Sequence, residues 1–246
     1  MTNQPKGLIL YHGPSILDGQ PIVAIATGLA QSSLNKKTGA MAQVWILRED
    51  ISPAQAAASG QDASICGTCP HRGRIVDGRN VGRSCYVTIM HAPRAVWAAY
   101  RRGIYPHAPD LATPFEGKAV RLGAYGDPAA VPLHIWEQVT SRAATFTGYT
   151  HAWRTHPELA PFCMASCDTE RERTEAHFLG FRVFRVRRAS KPKLAGEVVC
   201  PASLEAGKRT NCAACRACGG TTAKAKADIV IIAHGSPAVH FNTLHP

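Results

Sequence analysis

Between residues 119 and 232 the chain alternates short apolar runs with amphipathic ones, and this rhythm restricts its possible folds more than any other feature. "AVRLGAYGD" reads as a strand followed by the helix "PLHIWEQVTSRA"; "TFTGYTHAW" and "FCMASCD" are further strands, the second leading into the helix "TERERTEAHFLG". "FRVFRVRR", "GEVVCP" and "ADIVIIAHG" complete the series. Strands alternating with helices predict a parallel sheet of β/α units, and apolar strands bounded by Gly or Pro fit burial on both faces. The expected fold is α/β: parallel and (β/α) barrel-like, as a full or an incomplete barrel, with cysteine-rich metal-binding loops.

Upstream of the rhythm, "PIVAIATGLA" and "AQVWILRED" read as two strands joined by a polar, Gly-containing loop. "SPAQAAASGQ" can open a helix with Ser52 as its N-cap and Pro53 at its first position. From Ser64 to Ser84 the composition, rich in Gly and Arg, predicts a long loop, and such loops are functional or tied down. A helix is expected from Pro93, with Val96, Trp97 and Tyr100 on one stripe and Arg101 and Arg102 at its end. The 246 residues suit one domain. Its parts are residues 1–60, N-terminal strands and loop; 61–92, cysteine-rich loop; 93–199, β/α core; and 200–246, C-terminal cysteine cluster and last strand.

In β/α folds ligands gather at the carboxyl ends of the strands. Asp127, His151, Cys167, Asp168, Cys200 and His234 all fall at such ends, so one rim is expected to collect them. The lone histidines, among them His134 and His156, are read as structural, with His234 the exception because it ends a buried strand on that rim.

Nine cysteines make the count odd, so full pairing is impossible. No run of about 18 apolar residues exists to span a bilayer, and the N-terminus lacks the pattern of a signal peptide. The expected compartment is the cytoplasm, where thiols stay reduced and clustered cysteines point to metal ligation. Cys212, Cys215 and Cys218 form C-x2-C-x2-C, and Cys200 is followed by Pro201. Ferredoxin-type runs deliver three thiolates to a cuboidal [4Fe–4S] cluster from such a turn and the fourth from a remote Cys-Pro. The alternative is structural zinc, although zinc ribbons more often use two separated C-x2-C pairs. Cys66, Cys69 and Cys85 make a second group. Three sulfurs suit a cluster with one open iron; His71 as a fourth ligand would make a closed Cys3His zinc site, and Cys66 and Cys69 could instead join two C-terminal cysteines around one zinc. Cys163 and Cys167 read as buried small hydrophobes.

Charge bears on partners. The 28 Lys and Arg against 17 Asp and Glu give a formal net charge of +11, which points to an anionic partner, nucleic acid or a phosphorylated substrate. Arg182, Arg185, Arg187, Arg188, Lys191 and Lys193, interleaved with Phe181 and Phe184, form the candidate nucleic-acid-binding set, suited to phosphate contacts and base stacking. A solvated, charge-protected sheet edge is the competing reading. No Ser-His-Asp order, P-loop or HExxH supports a hydrolase or NTPase.

The order of "SSLNKKTGAM", the cysteines ending in "CYV", "VRLGAYGD" with "IWEQV", "FTGYTH", "VVCP", "CAACRAC" and "AHG" resembles an uncharacterised family of cysteine-rich phage and plasmid proteins. That family in turn looks like a distant relative of radical S-adenosylmethionine (SAM) enzymes, which have a TIM-barrel-like scaffold. The resemblance implies that Cys66, Cys69 and Cys85 ligate the cluster whose open iron takes SAM. They are spaced C-x2-C-x15-C, where those enzymes carry a compact C-x3-C-x2-C. It places Tyr125, Gly126, Asp127 and Pro128 where those enzymes have a Gly-Gly-Glu-Pro-like turn that holds the methionine amino group, with Asp127 in place of Glu and as the candidate catalytic residue. The C-terminal four-cysteine site would resemble an auxiliary cluster. The expectation is an iron–sulfur enzyme, radical-SAM-like or redox, acting on nucleic acid or a nucleotide. Its rivals are a non-catalytic zinc-stabilised nucleic-acid-binding protein and a cluster-based redox sensor.

Overall fold

The computed structural model describes residues 5–30, 35–235 and 237–244; the first residues of the "SSLNKKTGAM" motif lie outside them. In chain order the elements are β1 (Gly7–Pro14), β2 (Pro21–Thr27), β3 (Met41–Arg48), α1 (Pro53–Ser59), α2 (Ala63–Cys66), β4 (Arg74–Val76), β5 (Arg79–Val81), α3 (Ala92–Arg101) and β6 (Ala119–Tyr125). There follow α4 (Leu133–Ser141), β7 (Thr145–Thr150), β8 (Met164–Cys167), α5 (Glu170–Phe178), β9 (Val183–Arg187), β10 (Glu197–Val199), α6 (Cys212–Cys215), β11 (Asp228–Ile232) and α7 (Ala238–Leu244).

Nine strands form one mixed sheet in the order β1-β2-β3-β6-β7-β8-β9-β11-β10. The first three pair antiparallel, and every pairing from β3 onward is parallel. Strands consecutive in sequence thus lie side by side from β6 to β9, which places their carboxyl ends along one edge of the sheet. The core is the apolar residue set of these strands with the inner faces of α3 and α4, among them Ile22, Ile25, Val44, Ile46, Val120, Leu122, Ile135 and Trp136. Cys163 and Cys167 are buried in it as small hydrophobes. No helix of the described residues is long and apolar enough to cross a membrane.

Local chemistry explains the boundaries. Ser52 accepts from the Gln55 backbone and Gln55 reaches back to it, a capping box that starts α1 with Pro53 at its first position. Thr169 and Glu172 make the same reciprocal arrangement for α5. All four tryptophans pack their rings against the core and donate their N–H to an oxygen: Trp45 to Thr27 Oγ1, Trp97 to Arg48 O, Trp136 to Pro128 O and Trp153 to Ser166 O.

Two departures from the sequence expectation matter for the site. Residues 7–14, which carry no strand signal beyond a short apolar run, become the outer strand β1 by pairing with β2. The expected loop from Ser64 to Ser84 is ordered instead as a helical turn, a 3-10 turn at Pro70–Arg72 and the antiparallel hairpin β4–β5. Asp77 at φ 47° and Gly78 at φ 72° make the two-residue turn of that hairpin.

Candidate metal centre

A cavity of about 280 Å³ opens at the carboxyl ends of the parallel strands, and seven of the nine cysteines line it: Cys66, Cys69, Cys85, Cys200, Cys212, Cys215 and Cys218. All nine are free thiols.

The N-terminal group is built on α2 and the hairpin. Arg48 Nη1 donates to Ser64 Oγ (3.1 Å) and Ser15 Oγ to Ser64 O (2.6 Å), fixing the turn that ends in Cys66. The Arg72 guanidinium then bridges Asp62 Oδ1, Gly67 O and Gly60 O, so the backbone between Cys66 and Cys69 is clamped from within. Cys69 N donates to Cys66 O (3.1 Å) and closes the C-x2-C turn. The hairpin returns the chain, and Ser84 N and Cys85 N both donate to His71 O. The x15 gap is thereby folded away, which leaves Cys66 within electrostatic reach of both Cys69 and Cys85.

His71 is not spare as a fourth ligand. Its Nδ1 lies 2.8 Å from Ser84 Oγ and its Nε2 3.0 Å from Asp168 Oδ2, while its ring stacks on Phe241 and meets His151 edge-on. In this structure both ring nitrogens are engaged, and the histidine braces the cysteine loop against the end of β8. Nor are Cys66 and Cys69 drawn off to the C-terminal cysteines; the hairpin groups them with Cys85.

The C-terminal group is assembled from three segments. Cys200 N donates to Val230 O (2.8 Å), placing that thiol at the end of β10 beside β11. Asn211 caps α6 by accepting from Ala214 N (3.1 Å), and Cys212 N and Ala213 N donate to Lys37 O and Thr38 O. Arg216, at φ 58°, turns the chain after Cys215 in the left-handed region, and Cys218 O accepts from Gly148 N of β7 (3.1 Å). Arg182 Nη1 donates to Ala217 O (2.8 Å) and Gly220 O (2.9 Å), and its Nη2 to Ala227 O (2.5 Å). One guanidinium thus holds both sides of the turn that carries Cys218. Cys218 is within electrostatic reach of Cys200, Cys212 and Cys215.

Burial pushes Cys66, Cys69, Cys200, Cys212 and Cys218 upward, most strongly Cys66 and Cys69, and Cys218 to about 12. Surroundings differ, however. Asp62 and Asp127 raise Cys66 further and Asp127 and Asp168 raise Cys69, whereas Arg121 and Lys37 pull Cys212 back down. Thiols held this high are protonated at neutral pH, and a bound metal is what would favour their ionisation.

The donor sets can be tested against the metals. Among the described residues no three His, Cys, Asp or Glu side chains converge on a point as they would around a single ion. A cuboidal cluster seats each thiolate on its own iron and so takes sulfurs spread around a wider volume than one ion does. The Tyr125 hydroxyl, buried against Cys66 and Cys85, has no hydrogen-bond partner among the described residues. An enclosed donor beside two thiols is suited to a group that brings acceptors. The residues present supply seven thiols in a group of three and a group of four, the donor types that iron–sulfur clusters take.

The turn after β6 is a hub of contacts between β3, β7 and the cysteine loop. Gly126 sits at φ +83°, where a Cβ would come within 2.7 Å of Ile46 Cβ, so only glycine fits. Asp127 N donates to Ile65 O (2.6 Å), one residue before Cys66. Its carboxylate accepts from Ala129 N (3.0 Å) and His151 N (2.7 Å), which caps the turn starting at Pro128 and ties β7 to it. Burial raises the Asp127 carboxyl and these donors oppose the rise. The structure therefore gives Asp127 a positioning role for the cysteine loop. His151 is driven down to about 4 by burial and by the neighbouring His71.

Of the candidate nucleic-acid set, Arg182, Arg185 and Arg187 are corrected. On β9 the apolar Phe184 and Val186 line the cavity, while Arg185 and Arg187 point to the opposite face and are buried. Arg185 makes a two-point bond to Glu197 (2.6 and 2.8 Å), and Arg187 bonds Glu205 and Lys191 O. Arg182 is spent on carbonyls, as above. A buried charge needs a partner, and these arginines found theirs inside the fold. Arg188 is half-buried, and Lys191 and Lys193 are exposed.

Sequence reasoning passed over Arg121, Tyr86, Tyr149 and Lys37, all of which line the cavity. The available signal was position: Arg121 precedes Gly123 and Tyr125 at strand spacing and so shares their face. Comparison with family models, with curated proteins and with solved structures finds no match to this chain.

Proposed function

We propose that this is an iron–sulfur enzyme of radical-SAM-like type, or a redox descendant of one, in which both cysteine groups hold [4Fe–4S] clusters on a (β/α) scaffold wound as an incomplete barrel. The observation that carries the reading is the convergence of seven cysteines, distant in sequence, on one cavity at the carboxyl ends of the strands, as a three and a four.

Cys66, Cys69 and Cys85 would hold a cluster with one open iron, since His71 is engaged elsewhere. Cys200, Cys212, Cys215 and Cys218 would hold a closed one. When bound, clusters supply one-electron chemistry, in the open case toward SAM. This chain's own residues position and shield: Arg72 and Arg182 fix the two cysteine turns, and Asp127 locks the Tyr125–Pro128 turn to the residue before Cys66. Phe184, Val186, Ile229 and Ile231 give the cavity apolar walls that limit water.

The substrate would be a nucleotide, or one nucleotide of a nucleic acid, because the net charge of +11 favours an anion and a cavity of this size admits no duplex. The deciding experiment is anaerobic purification with iron, sulfide and zinc analysis per chain and a visible spectrum. About eight irons with matching sulfide is the expected result. Zinc without iron would overturn the reading and leave a zinc-stapled binding protein.

A further inference from the structure

The cavity is electrically polarised. Its carboxylates, Asp127 and Asp168, stand at the N-terminal cysteine end, where Asp127 accepts from Ala129 N and His151 N and Asp168 lies against His71. The opposite end carries Lys37, Arg121 and His234, and no carboxylate among the described lining residues.

Arg121 is the unusual member of this basic end. It projects from the middle of β6, in register with Gln43 of β3 and Thr147 of β7, and one of its terminal nitrogens bonds the Tyr86 hydroxyl. The Nε is enclosed by protein and has no acceptor among the described residues. The charged or polar groups within its electrostatic reach are Tyr86, Tyr149 and Cys212. The Nε is closed to a ligand in the cavity as well; the donor that the half-buried side chain still offers there is its second terminal nitrogen, which bonds no protein group among the described residues. Lys37 differs: it lies within reach of both Cys200 and Cys212, and its Nζ is 3.3 Å from His234 Nε2, so it already serves the thiol group.

We infer that Arg121, with Tyr86 at its side, is the subsite for an oxyanion, a phosphate or a carboxylate, of the molecule the cavity takes. Guanidinium suits this task because its planar donor fork matches two oxygens at once, and apolar surroundings strengthen the pairing. The subsite lies beside Cys212, at the end of the cavity away from Asp127 and Asp168, so a substrate held there by its anionic end would point its remainder along the cavity toward Cys66, Cys69 and Cys85. This inference deepens the function proposed above and rests on the cavity being a substrate chamber, but not on the identity of the metal.

The test is equilibrium dialysis of the protein as purified against inorganic phosphate and, separately, acetate, with metal analysis of the same samples. The wild type should bind one anion per chain, phosphate ahead if the substrate is a nucleotide and acetate ahead if it is a carboxylic acid. Arg121→Gln should weaken binding at least about tenfold with metal content unchanged. Undiminished binding in Arg121→Gln, or a wild type that binds neither anion, would overturn the subsite while leaving the iron and sulfide result standing. Loss of metal from the C-terminal group in Arg121→Gln would also overturn it, by showing that Arg121 neutralises thiolates. Should Arg121→Gln not fold, Arg121→Lys and Tyr86→Phe decide the matter. Tyr86 is largely exposed, so its phenylalanine variant should fold, and both should weaken the anion severalfold; wild-type affinity in both would overturn the inference.

Discussion

The two cysteine groups share one cavity and the same donor atom, yet they sit in opposite fields. Cys66, Cys69 and Cys85 are set among Asp62, Asp127 and Asp168, under a hairpin and a braced histidine. Cys200, Cys212, Cys215 and Cys218 are set beside Lys37 and Arg121, on a turn organised by Arg182. Carboxylates discourage thiolates and cations favour them. On the proposed function, a three-thiolate site in the acidic setting would be held more weakly than a four-thiolate site in the basic one.

The most severe way to break this comparison is to remove one sulfur from each side. Cys212→Ser should empty the C-terminal site and Cys85→Ser the N-terminal one, each lowering iron from about eight to about four per chain while the other site persists. A single substitution that emptied both would show that the two groups form one site. Next in size, Arg182→Ala strands three carbonyls at the C-terminal turn. It should cost about 3 kcal/mol in chemical denaturation and release iron from that group alone.

Of similar size is a pH effect at the N-terminal end. His151 titrates near 4 in the fold and near 6.5 when unfolded, so between those values the unfolded chain binds the extra proton. Stability from this group is complete above about pH 6.5 and is lost as pH falls toward 4, by roughly 3 kcal/mol. Denaturation midpoints at pH 7 and pH 5 should show the drop, and His151→Gln should flatten it. The two fields also predict an ordering of acid release. As pH falls under chelator, iron should leave the N-terminal group first, since protons return more readily to thiols beside carboxylates, and Cys85→Ser protein should lack that early phase. The smallest effect belongs to Lys191→Ala with Lys193→Ala. Both side chains are exposed, so stability should move by less than about 0.5 kcal/mol in chemical denaturation.

Much of the fold was legible because its signals are local. The strand series from "AVRLGAYGD" to "ADIVIIAHG" corresponds to β6 through β11, and the capping residues Ser52 and Thr169 start the helices they should. Missing from that reading were β1, which depends on its pairing with β2, and the β4–β5 hairpin, whose turn at Asp77 and Gly78 was submerged in a Gly- and Arg-rich stretch. The cysteines were legible as candidates by spacing alone; of the expected rim, Asp127, His151, Asp168, Cys200 and His234 line the cavity, whereas Cys167 is buried in the core. The arginines of β9 were misjudged because a period of two marks two faces without saying which is outside. Phe184 and Val186 took the cavity side, and Glu197 and Glu205 were waiting on the other.

What the sequence by itself determined is the strand series β6 to β11, its parallel winding and the cysteines that cluster by spacing, since these follow from local periodicity, capping and spacing. Only the tertiary structure decided which sulfurs meet, that His71 is committed to Ser84 and Asp168, and that Arg121 rather than Arg185 faces the cavity. Such choices depend on contacts between residues far apart in the chain, where burial forces each charge to find a partner and no local pattern records which one it found.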